Sequence, residues 1–82
     1  MPQEITEEIK KMDTALEERI NEIEKSNDKI EEKDKKIRKE CEKFFDICEK
    51  LTQKEITHKE YVLINNFVSA WESYYKTRFK LY

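Results

Sequence analysis

Cys41, Cys48 and His58 carry the thiol and imidazole chemistry of this chain, which has two cysteines and one histidine in all. A thiolate beside a histidine acts as a nucleophile, and the same groups ligate zinc. Either use demands proximity. Cys41 and Cys48 fall two turns apart on one face of a helix, roughly 10 Å between Cα atoms and beyond disulfide reach. A zinc site with His58 would require the chain to fold back, and the spacing matches no standard ligand pattern. Neither Ser, Cys nor an acid stands at a recognisable catalytic spacing from His58. The cysteines are therefore expected to be buried core thiols, and His58 a residue near a helix start. An interchain disulfide would require parallel, in-register chains. The carboxylates are interleaved with lysines on what reads as a solvated helix face, so no acid–base pair is expected. No enzyme, no cofactor and no metal site is expected.

The aromatic residues offer a different chemistry, recognition. All nine fall within the last half of the chain, from Phe44 to Tyr82. Most are expected in a core. Trp71, Tyr75, Arg78 and Phe79 share one helical face and are the expected partner-binding residues, because Trp, Tyr and Arg dominate interface hot spots.

The elements that position these residues are helices. Ile5, Ile9, Met12, Leu16, Ile20, Ile23, Asn27, Ile30, Asp34, Ile37, Cys41, Phe44, Cys48 and Leu51 form a ladder at spacings of three and four, one side of an α-helix. From Ile20 onward they fit heptads, with Ile20, Asn27, Asp34, Cys41 and Cys48 at a and Ile23, Ile30, Ile37, Phe44 and Leu51 at d. A stutter follows Leu16. Asn27 reads as a register-setting polar residue at a, and Asp34 as a weak point. A ladder this narrow needs a partner helix, so Ile9, Leu16, Ile20, Ile23, Asn27, Ile30, Ile37, Cys41, Phe44, Cys48 and Leu51 are the expected seam of a homodimer. Phe45 and Ile47 widen the stripe near its end, which suggests additional helices there.

Composition supports this. The chain has no Gly and a single Pro, Pro2, while charged residues make up 44%. Without these breakers, tight hairpins and phosphate-cradling loops are disfavoured and long helices favoured. The first helix is expected over about 3–52. Thr52-Gln-Lys-Glu55 and Thr57-His-Lys-Glu60 both read as capping boxes; Thr57 is the better start for a second helix over about 58–80. The expected fold is all-α: a helical hairpin with a coiled-coil stalk over 1–40 and a hairpin bundle over 41–82, two copies of which make a four-helix bundle.

Residues 1–56 hold 13 basic and 17 acidic side chains, and residues 57–82 hold 4 and 2. The overall balance of −2 argues against nucleic-acid binding. Lys76, Arg78 and Lys80 suit the negative end of a helix dipole. No secretory signal or membrane-spanning run is read, and two cysteines without a signal suggest a reducing, cytoplasmic setting. These features point to a non-enzymatic coiled-coil oligomerisation or adaptor protein, a scaffold of a larger assembly that binds a protein partner through its aromatic C-terminal helix. The alternatives are a small helical chaperone or obligate subunit completed by another chain, and a membrane-surface binder using the basic, aromatic helix.

Overall fold

The computed structural model describes residues 2–79, with side chains from Ile5 onward; the ends expected at Lys80 and Tyr82 lie outside the described residues. Three helices follow one another: α1 (Pro2–Lys25), α2 (Ile30–Thr52) and α3 (His58–Phe79). The expected single helix over 3–52 is corrected to two. A continuous rod of that span would be roughly 75 Å long, whereas the molecule measures 42 × 26 × 15 Å. The ladder finds its partner helix within the same chain.

The chain turns at Ser26–Lys29 because local side chains satisfy the helix ends there. Ser26 Oγ donates to the Ile23 carbonyl at 2.7 Å, and the Lys33 ammonium donates to the Glu24 carbonyl at 2.8 Å. Lys36 pairs with Asp28 at 2.6 Å. That hydrogen bond and charge hold the Asp28 carboxyl below its usual range. Asn27 is exposed in the turn, so it does not occupy a buried a position. Asp34 is half-buried and engaged by Arg78. Of the two polar breaks in the ladder, Asn27 lies in the turn itself and Asp34 in the first turns of α2.

The second connection matches its sequence signal. α2 ends with tight turns, Gln53 N–H to the Lys50 carbonyl and Lys54 N–H to the Leu51 carbonyl, both 3.2 Å. Thr57 and Glu60 then form a reciprocal capping box. The Thr57 N–H donates to Glu60 Oε1 at 2.7 Å, and the Glu60 N–H donates to Thr57 Oγ1 at 3.2 Å. Glu60 is only 5% exposed, which keeps the box away from competing water.

One contiguous core joins the helices. Ile9, Leu16, Ile20 and Ile23 come from α1, Ile37, Cys41, Phe44, Cys48 and Leu51 from α2, and Ile64 from α3. Residues expected in the stalk therefore share a core with residues expected in the bundle. Nine of the eleven expected seam residues are buried within this single chain; Asn27 and Ile30 are exposed.

Candidate protein-interaction site

The two thiols are buried and unpaired with each other. Burial raises both, Cys41 and Cys48, from the ordinary 9.0 to about 11. His58 is exposed at the start of α3. No group of His, Cys, Asp or Glu able to hold a metal ion occurs among the described residues. At pH 8 the shift leaves about a hundredfold less thiolate than in an unfolded chain. A disulfide reagent is therefore expected to modify the folded protein at least about a hundredfold more slowly than the protein in denaturant, read by the absorbance of the released thiol. A folded pKa raised above the unfolded one also gives a sign to the pH dependence. The stabilisation is complete below pH 9.0 and is lost as pH rises through about 11. Burial raises the hydroxyls of Tyr74 and Tyr75 as well, so alkaline titration adds to the same loss.

The aromatic residues of α3 tie the helices together. The Trp71 indole N–H donates to Asp13 Oδ1 of α1 at 2.7 Å. The Tyr75 hydroxyl donates to Glu42 Oε2 of α2 at 3.1 Å. Edge-on contacts link Phe44 with Trp71 at 6.4 Å and Phe45 with Tyr75 at 5.7 Å. Arg78 sits where three helix ends meet, 2.6 Å from Glu24 and 2.8 Å from Asp34. Arg38 lies 4.7 Å over the Phe79 ring. All four expected partner-binding residues are half-buried and each has a partner inside the chain. The structure brings Trp71, Tyr75, Arg78 and Phe79 together as a strip facing α1 and α2.

The freer surface of α3 is its outer face. Tyr61 is 46% and Val62 41% exposed, and Asn65, Asn66, Ser69 and Ala70 are exposed beside them. From Tyr61 to Trp71 no side chain is charged, in a chain where 44% of residues are. That uncharged run was the readable sequence signal for this face; attention to the aromatic spacing alone passes over it. Val62, Asn66 and Ala70 form an i, i+4 ridge. The ridge leads into an open groove of about 380 Å³ between α1 and α3, lined by Asp13, Glu17, Ile20, Asn21, Ala70, Trp71 and Tyr74. Trp71 and Tyr74 meet edge-on there, centroids 5.5 Å apart. The charged residues of its lining are both acidic.

A second groove, about 460 Å³, runs between α1 and α2. Its apolar floor includes Met12, Leu16, Phe44 and Ile47, and its rims carry Glu18 and two ion pairs, Arg19 with Glu22 at 3.3 Å and Lys43 with Glu40 at 3.6 Å. With Glu18 this lining holds three acids and two bases, so it is less one-sided in charge than the α1–α3 groove, whose charged residues are both acidic.

Among the described residues no helix is long and apolar enough to cross a membrane. No family model, curated protein or solved structure matches this chain.

Proposed function

We propose that the chain is a non-enzymatic helical adaptor, which self-associates and docks a protein partner on α3. The observation that carries this reading is the continuity of the uncharged Tyr61–Ala70 face with the aromatic, acid-rimmed groove beside Trp71. Desolvating this surface removes few charges from water, unlike the Lys- and Glu-covered faces of α1 and α2. A complementary partner presents apolar anchors along a helix, with a Lys or Arg placed toward Asp13 and Glu17. The indole of Trp71 and the ring of Tyr74 form the floor that such anchors cover.

The membrane-surface reading has less support. The Arg78 guanidinium is held by Glu24 and Asp34, and the acids beside Trp71 oppose an anionic lipid surface.

Photo-crosslinking residues placed singly at Val62, Asn66 and Lys35 test the proposal in cells. Position 35 lies exposed on the charged face of α2. Adducts of one protein at 62 and 66, absent at 35, are expected, and reversing charge at Asp13 and Glu17 should weaken them. Equal adducts at all three positions would contradict the assignment.

A further inference from the structure

Ile23, Ile30 and Ile37 stand seven residues apart across the α1–α2 turn. Ile23 and Ile37 are buried, yet Ile30 between them is 63% exposed. A turn has no reason to preserve heptad phase through itself, whereas a continuous helix does. The turn residues Ser26, Asn27, Asp28 and Lys29 include neither Gly nor Pro, and all are tolerated within a helix. The N-cap residue of α2, Lys29, also makes no side-chain capping bond. The closed turn rests on a few polar contacts, chiefly Lys33 on the Glu24 carbonyl and Lys36 on Asp28.

We infer that the chain exchanges α1 with a second copy of itself: Ser26–Lys29 straightens into helix, α1 and α2 become one rod, and each α1 packs on the other copy's α2 and α3. The occupant of the face that α1 vacates is fixed by that face, since it is the surface α1 already fits. The Trp71–Asp13 and Arg78–Glu24 contacts are retained, now between chains. What changes is confined to the turn. Lys33 leaves the Glu24 carbonyl, which becomes the acceptor for the Asp28 N–H in an unbroken helix.

The register supports the exchange. Met12 and Leu16 share the α1–α2 groove with Ile47 and Phe44. Continuing that register between two rods sets Ile23 level with Ile37 of the second copy and brings the two Ile30 side chains together at the crossing. Ile30 is then covered. Asn27 falls about level with Asp34 of the second copy, so the two polar breaks face each other, amide to carboxylate. One sequence thus satisfies both arrangements: Asn27 suits a turn in the closed chain and a polar layer in the exchanged pair.

This inference rests on the self-association in the reading above, and the test separates the two. Wild type, the triple variant S26A/N27A/D28A and Ile30→Pro are compared by sedimentation equilibrium from low micromolar to millimolar concentration. The alanines favour helix at the turn and should lower the dimer dissociation constant at least about tenfold. Proline suits the first position of α2, because Lys29 is already extended at φ −64 and ψ 154. It blocks a helix through the turn, so this variant should melt as wild type does and stay monomeric. In mixed-isotope dimers, filtered NMR should place Leu16–Phe44 and Met12–Ile47 contacts between chains. A triple variant that is monomeric at millimolar concentration, or an Ile30→Pro chain that dimerises as tightly as wild type, overturns the inference. A dimer keeping those contacts within each chain overturns the exchange alone and leaves self-association standing.

Discussion

Phe44→Ala should lower the unfolding free energy by about 3–5 kcal/mol, the largest loss expected from any single truncation in this chain. Phe44 is buried on α2 and meets Phe45 and Trp71 edge-on, at centroid distances of 6.2 and 6.4 Å. It also lines the groove between α1 and α2. Its removal therefore opens a void touched by all three helices, and that void cannot be closed by moving one of them. A domain of this size holds only about 5–15 kcal/mol of stability in total. Chemical denaturation followed by circular dichroism should show the midpoint falling sharply with little change in slope. Phe45→Ala is the control. Phe45 is half-buried at the edge of the same cluster, so its loss should be clearly smaller. Equal effects from the two would mean that Phe44 does not occupy the centre of the core.

Replacing Arg78 by Met should destabilise the bundle by about 1–2 kcal/mol. The guanidinium donates from Nε at 3.1 Å and from Nη2 at 2.8 Å to Asp34, and lies 2.6 Å from Glu24. It joins the end of α1, the start of α2 and the end of α3. The Arg78 side chain is 20% exposed, and its acidic partners are about twice as open. They can regain water when the cation is removed, which limits the loss below that of a fully buried pair. Arg78→Lys restores the charge but loses the forked geometry, and should recover only part of the stability. Added salt should narrow the difference between wild type and Arg78→Met, because the acids are partly solvated. A double-mutant cycle with Asp34→Asn isolates the pair. A coupling near zero would leave Arg78 as a packing residue held by its methylenes and Tyr74.

Much of this architecture was legible in the residues. The ladder from Ile5 to Leu51 marks the buried faces of α1 and α2, and the capping box at Thr57 and Glu60 places the start of α3. The turn at Ser26–Lys29 was not legible as a turn. Its residues are compatible with helix and the heptad phase runs through it. The signals were Asn27 and Asp34, which read equally well as polar layers of a seam, and the run Ser26-Asn27-Asp28, whose side chains compete for backbone hydrogen bonds and favour turns. What decides for the turn in one chain is side-chain contact around it: Lys33 and Lys36 reach back to Glu24 and Asp28, and Ser26 takes the Ile23 carbonyl. The proposed interaction surface was half legible. Aromatic spacing selects Trp71 and Tyr75, but only the fold shows that the Trp71 indole is satisfied by Asp13 of α1. The adjoining uncharged face from Tyr61 to Ala70 is plain in the sequence once the charge density elsewhere is used as the background.

The central claim is that the ladder closes on itself within one chain, and a single intramolecular distance tests it. Spin labels at Glu8 and Glu49, exposed positions near opposite sequence ends of α1 and α2, are read by pulsed electron resonance at low micromolar concentration, with labelled chains diluted in unlabelled ones. Antiparallel packing of α1 on α2 predicts a separation of about 10–25 Å, set by helix packing and label length. A continuous helix through Ser26–Lys29 would separate the same positions by about 60 Å. A distribution centred near that longer distance in the dilute monomer would contradict the account.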